Sequence, residues 1–174
     1  MNDKAARALV VAAAIAIASA GVAWFQASAH LRELRLGELE SIAALLEEDQ
    51  ELLRALQTNF GSAKDSGILA SYLAKIRADG VAKHAEMKQQ LDRLAENNSA
   101  IVALINVYRP HAKTAAFGTE AEKFVSYAIA WRDRWNSMME LFMAGGNYPA
   151  AEVPFPKTFS SAVQTEIEAA QHVF

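Results

Sequence analysis

The residues best suited to recognition chemistry lie in one short stretch, where two tryptophans enclose three charged residues. In a helix, Trp131 and Trp135 are four residues apart and share a face, and Arg132 and Arg134 flank that face. An aromatic and cationic face of this kind is suited to binding a carboxylate ligand or anchoring a partner chain, because Trp and Arg are enriched at interfaces. The alternative is that both indoles fill the core of a helical bundle.

Phe155 is a second candidate contact. It stands between Pro154 and Pro156, in a segment from Tyr148 to Lys157 that contains three prolines. Because proline fixes φ and has no amide hydrogen, this segment is predicted to be an extended loop. The Phe155 ring either contacts a partner or packs on the end of the bundle.

Patterns typical of catalytic and metal sites are missing from the sequence. The four histidines, His30, His84, His111 and His172, have neither the HExxH nor the Glu-x-x-His spacing, and there is no cysteine. Each histidine is therefore predicted to lie on the surface or at a helix end. The sequence also has no P-loop, dinucleotide-binding glycine motif or nucleophile elbow. We expect a non-catalytic protein that binds no metal or cofactor.

The element that must position everything else is an uncharged stretch, Ala8 to Ala29. As a helix it is about 33 Å long, which matches the hydrocarbon core of a bilayer. Trp24 lies towards its far end, where an amphipathic ring suits the membrane interface. We predict a retained membrane anchor in residues 1–29 and a helical domain in residues 30–174. A cleaved signal peptide is the alternative, since Ala18-Ser19-Ala20 and Ala27-Ser28-Ala29 fit the A-x-A pattern.

Small side chains in this span predict close packing with another membrane helix. Ala12, Ala16 and Ala20 recur every four residues, and Gly21 follows directly. The expected partners are therefore the lipid bilayer and other membrane-protein subunits, or a second copy of the chain. We expect the N-terminus in the cytoplasm and the domain on the extracytoplasmic side, which in a bacterium is the periplasm.

Composition predicts an all-α domain with no role in nucleic-acid binding. The chain has only four Pro and eight Gly, and it is rich in strong helix formers. Its net charge of −3 leaves no concentrated basic face for nucleic acid. Apolar residues recur at alternating spacings of three and four, as in a coiled coil, and predict a bundle of four or five helices. The two clearest stripes are Leu39, Ile42, Leu46, Leu53, Leu56 and Phe60, and Phe124, Ala128, Trp131, Trp135, Met138 and Phe142.

The breakers along the chain predict where these helices begin and end. The predicted helices are the following: the span continued from His30 to Phe60; a helix from Asp65 or Ser66 to about Glu96, with a possible kink at Asp79-Gly80; one from Asn97-Asn98-Ser99 to Pro110; one from the capping box Thr119-x-x-Glu122 to about Ala144; and one from Thr158 or Ser160 onward.

Asp49 interrupts an otherwise apolar stripe in the helix that ends at Phe60. It belongs to the acidic run Glu47-Glu48-Asp49, which could be interpreted as a cation site. Because adjacent helical residues point in different directions, a solvated face is the favoured interpretation.

These features predict a structural or accessory subunit of a membrane-bound assembly, in which the bundle braces or covers partner helices on the extracytoplasmic side. The layout of one span followed by a helical bundle resembles the sensory half of bacterial chemoreceptors. That resemblance implies the alternative function, a membrane-anchored ligand-sensing domain. In such a domain the aromatic and cationic face described above would supply Arg132 or Arg134 as the anion contact.

Overall fold

The computed structural model describes residues 3–60, 66–146 and 154–172, without the side chains of residues 3–18, 20, 21, 66 and 139. Within these ranges the chain forms only helices, so the all-α prediction is confirmed. The described residues form five α-helices: α1 (Asp3–Phe60), α2 (Ser66–Asp79), α3 (Ala85–Tyr108), α4 (Ala115–Ala144) and α5 (Thr158–Gln171). Two short 3₁₀ helices, Val81–His84 and Arg109–His111, flank α3.

The chain divides into two compact units, Met1–Gly37 and Glu38–Phe174. Helix α1 runs without interruption from Asp3 to Phe60, as the lack of a strong breaker predicted, and contributes to both units. Among the residues that the structure describes, no helix is long and apolar enough to cross a membrane. The predicted span, Ala8 to Ala29, falls mostly on residues whose side chains lie outside that description, so the span stays a prediction.

The second unit is a helical bundle with its core between the apolar faces of the five helices. The predicted stripe of α1 is buried at Leu39, Ile42, Leu46, Leu53 and Leu56. The stripe of α4 is buried at Phe124, Ala128, Trp131 and Met138. Each large apolar side chain contributes about 1.5–3 kcal/mol when fully removed from water. This repeated burial, rather than helix propensity alone, holds the bundle together.

The prediction of one helix from residue 66 to about Glu96 was wrong, because the chain breaks at Gly80. Gly80 has φ of +85° and ψ of 154°, a conformation that residues with a Cβ rarely adopt. The predicted break at Asn97-Asn98-Ser99 was also wrong, since α3 passes through it without interruption. Asn97 and Asn98 are only 2% exposed, so these two amides are part of the helix packing.

Helix α4 begins four residues before the predicted capping box. Thr114 is its N-cap and its hydroxyl accepts a hydrogen bond from the Phe117 amide, at 3.3 Å. Glu122, the presumed second half of the box, instead pairs with Arg109. The end at Ala144 was predicted correctly, because Gly145 adopts the left-handed conformation (φ +68°) that ends many helices.

Candidate functional site

The predicted recognition face on α4 is split between core and surface. The Trp131 side chain is only 3% exposed and fills the bundle core, as the alternative interpretation held. Trp135 is half-buried, with its ring centroid 6.2 Å from that of Tyr72. The ammonium group of Lys88 lies 5.9 Å from the Trp135 centroid. Trp135 is therefore engaged by residues of α2 and α3, while Trp131 belongs to the buried core.

The two arginines of this segment remain near solvent. Arg132 is exposed and its guanidinium lies 3.4 Å from the carboxylate of its neighbour Asp133. Arg134 is half-buried. The structure thus places Trp131 in the core, whereas Arg132 is exposed and Arg134 and Trp135 are partly accessible to a partner.

Phe155 packs against the bundle, as the alternative interpretation expected, although its contacts are with rings of α4. It is 5% exposed, and its ring meets those of Phe124 and Tyr127 nearly edge-on, at centroid distances of 6.2 Å and 5.4 Å. Edge-to-face pairs of this kind contribute about 0.5–1.5 kcal/mol beyond simple burial. Phe155 therefore fixes the end of the loop against α4, immediately before α5 begins.

A cavity of about 230 Å³ opens beside Phe155, between α1 and the start of α5. Helix α1 contributes four residues at spacings of three, four and seven, which place them on one face. The described lining consists of Gln50, Leu53, Arg54, Gln57, Phe155 and Lys157. The amide of Gln50 donates a hydrogen bond of 2.8 Å to the Ser160 hydroxyl and so ties α1 to α5 at this point.

Asp49 is fully buried, so the prediction of a solvated acidic face was wrong for this residue. Burial raises the pKa of Asp49 to about 7, and the nearby Glu48 carboxylate adds to the rise, whereas Asn97 and Arg93 oppose it. Neither carboxyl oxygen has a hydrogen bond of ordinary geometry within the described residues. Glu47 is exposed, in contrast.

Glu48, the middle residue of the acidic run, joins α1 to α3. Its carboxylate lies 2.8 Å from Nε of Arg93, and the hydrogen bond from Arg93 lowers the pKa of Glu48. The three residues of the acidic run therefore lie in three different environments. Within the described residues, no group of three or more side chains is arranged to hold a metal ion.

A second buried carboxylate, Glu166 on α5, was not singled out by any sequence pattern. It is fully buried and accepts hydrogen bonds from the Tyr108 hydroxyl, the Lys113 amide, and the amide and hydroxyl of Thr114. Burial raises the pKa of Glu166, but hydrogen bonds from Thr114, Lys113 and Tyr108 outweigh burial and hold the pKa below its ordinary value. The negative charge also lies at the N-terminus of α4, where the helix dipole favours it.

The histidines lie on the surface or at helix ends, as predicted. His30 is exposed on α1, and His172 is the C-cap of α5. His111 ends the second 3₁₀ helix, while His84 precedes α3 and lies 3.1 Å from the carboxylate of Asp79.

The predicted membrane-packing residues Ala12, Ala16, Ala20 and Gly21 have side chains outside the described part of the chain. Trp24 is described and is 78% exposed.

Comparisons with protein families, with curated proteins and with solved structures found nothing that matches this chain.

Proposed function

We propose that this protein is a non-catalytic accessory subunit of a membrane-bound assembly. In this proposal residues 8–29 form a single membrane span with the N-terminus in the cytoplasm. The helical bundle of the second unit then braces or covers partner helices on the extracytoplasmic side. The span would pack through Ala12, Ala16, Ala20 and Gly21, since small side chains allow a neighbouring helix to approach closely.

The observation that carries this proposal is the apolar surface of the first unit. Among the side chains of this unit that the structure describes, the large apolar ones that are exposed are Val22, Trp24, Phe25, Leu31 and Leu34, with exposed fractions from 50% to 78%. Trp24, Leu31 and Leu34 are separated by seven and three residues, so they lie on one face of α1. Leu31 and Leu34 follow the predicted span, where lipid would no longer cover them. A face of this kind is typical of contact with a protein partner.

The bundle provides a second, more polar contact region in this proposal. Arg132 is exposed, and Arg134 and Trp135 are half-buried beside it on α4. Arg and Trp are the residue types most enriched among the dominant contacts of protein interfaces. Trp131 and Phe155 have a different role here, since they hold the helices that present this region.

The experiment is purification of the tagged, full-length protein from native membranes in a mild detergent, followed by mass spectrometry of what accompanies it. We expect a companion membrane protein in fixed stoichiometry. Changing Leu31 and Leu34 together to Ser should remove the companion. Val107→Ser is the matched control, since Val107 is 56% exposed on α3 of the bundle.

A lone monomer in every preparation would overturn the subunit proposal. Equal recovery of the companion with the double variant and with Val107→Ser would overturn the role of the Leu31 and Leu34 face. Loss of the companion in Arg132→Ala, with the bundle still folded by circular dichroism, would place part of the contact on α4.

A further inference from the structure

The cavity between α1 and the start of α5 combines two cations with an apolar floor. Arg54 and Lys157 line it from opposite elements, and both residues are exposed. Neither side chain forms an ion pair with any residue that the structure describes. None of the described lining residues is acidic, although the chain as a whole carries a net charge of −3.

The remaining lining supplies the other parts of a small-molecule site. Leu53 and Phe155 are each only 5% exposed, so they form the inner wall of the cavity. Gln50 and Gln57 add amide groups at the same opening. Ligand sites are typically apolar concavities with a few convergent polar groups that set orientation.

The size of the cavity limits what it can hold. A volume of about 230 Å³ equals roughly eight water molecules at about 30 Å³ each. A small molecule of about ten non-hydrogen atoms fits this volume. The planar guanidinium of Arg54 matches a carboxylate group, to which it can donate two parallel hydrogen bonds.

We propose that this cavity binds a small organic carboxylate, with its anionic end between Arg54 and Lys157 and its apolar body against Leu53 and Phe155. Lys157 directly precedes α5, so the positive end of that helix adds to the attraction for the anion. The site lies wholly in the second unit and does not depend on a membrane partner. It also differs from the Arg132 and Arg134 position expected from the sequence.

The test is isothermal titration calorimetry of the full-length protein in a non-ionic detergent, with benzoate as the probe. Benzylamine, which has a similar shape and the opposite charge, should not bind. Arg54→Gln and Lys157→Gln should each weaken benzoate binding about fivefold, the effect of removing one exposed charge contact. Lys83→Gln is the matched control, because it removes an exposed cation elsewhere, and it should leave binding unchanged.

Three outcomes would overturn the proposal. The first is no heat of binding with benzoate. The second is equal binding of benzoate by the wild type, Arg54→Gln and Lys157→Gln. The third is displacement of benzoate by an equal concentration of inorganic phosphate, which would indicate a non-selective cationic surface. Gln57→Glu gives a further check, since an added carboxylate at the opening should weaken benzoate binding without touching the core.

Discussion

The hydroxyl of Tyr108, in the last turn of α3, donates a hydrogen bond of 2.8 Å to the carboxylate of Glu166, in the middle of α5. The same carboxylate holds the Lys113 and Thr114 amides, and so fixes the connection through which the chain enters α4. Glu166 therefore joins three helices through one buried charge. The Phe117 ring packs edge-on against the Tyr108 ring, with a centroid distance of 5.2 Å.

Glu166→Gln should destabilise the bundle by about 2–4 kcal/mol at pH 7, because a neutral amide accepts weaker hydrogen bonds and turns two donors towards existing donors. Urea denaturation followed by circular dichroism measures the change. Glu168→Gln is the matched control, since Glu168 is exposed on the same helix and its change should have little effect. Equal stability of the two variants would contradict the role of Glu166.

The stabilisation from Glu166 should also depend on pH in a defined direction. The pKa of Glu166 is lowered in the folded state from an ordinary value of 4.5. Its contribution is therefore fully present above pH 4.5 and is lost as the pH falls through the lowered folded-state pKa. The difference in unfolding free energy between wild type and Glu166→Gln should shrink when the same titration is repeated between pH 5 and pH 3.

Periodicity predicted most of the fold, because burial follows directly from the spacing of apolar residues. The buried apolar stripes of α1 and α4 and the end of α4 at Gly145 were all predicted from the sequence. The continuity through Asn97-Asn98-Ser99 was not, because the turn and capping preferences of Asn97 and Asn98 are overridden when tertiary contacts bury these two side chains. At Asp79-Gly80 the sequence indicated only a possible kink, whereas the helix breaks there. The environment of Asn97 depends on its facing Glu48 and Asp49 across the helix interface, and no local pattern contains that information.

The candidate site was predictable only in part for a related reason. The sequence grouped Arg132 and Arg134 with Trp131 and Trp135 because they are neighbours along the chain. The cavity instead combines Arg54 with Lys157, which are about a hundred positions apart and meet only after α5 folds back on α1. The α1 half has a visible signal, the spacing of Gln50, Leu53, Arg54 and Gln57. The α5 half has none, since Lys157 looks like any helix-flanking cation.

Asp49→Asn should stabilise the protein at neutral and alkaline pH. The unfolded chain releases the Asp49 proton near pH 3.8, whereas the folded state holds it until about pH 7. The unfolding free energy of the wild type therefore falls as the pH rises between these values, by up to about 4 kcal/mol for this separation. An asparagine of nearly the same shape has no such dependence.

Thermal unfolding of Asp49→Asn and wild type at pH 4, 6 and 8 measures this effect. The unfolding free energy of the variant minus that of the wild type should be about 2–4 kcal/mol larger at pH 8 than at pH 4. Glu47→Gln removes an exposed carboxylate two residues away and is the control for loss of a charge from this part of α1. A difference for Asp49→Asn that does not change with pH would show that Asp49 ionises normally in the fold.

Gly80→Ala and Gly37→Ala should change stability in opposite directions. Gly80 occupies a region of backbone conformation that costs a residue with a Cβ about 1–3 kcal/mol, so alanine there should destabilise the protein. Gly37 lies inside α1, and an added Cβ meets nothing within 4 Å. Alanine there should therefore stabilise the helix by about 0.5–1 kcal/mol. Denaturant titrations of both variants measure the two changes, and a shift of the same sign in both would refute this account of the break between α2 and α3.

Residues 1–29 should remain on the native protein and hold it in the membrane. Ala16→Arg places a charge near the centre of the predicted span, where it costs about 2.5–3.5 kcal/mol, so the variant should lose membrane association or accumulate poorly. Ala116→Arg makes the same substitution at an exposed position of α4 and should remain in the membrane fraction. Alkaline extraction of membranes followed by immunoblotting distinguishes the two variants.

Intact-mass measurement of the native protein then gives its N-terminus. A chain that begins at Gly21 or His30 would mean that the segment is a cleaved signal, and the anchor would have to be abandoned together with the subunit function that depends on it.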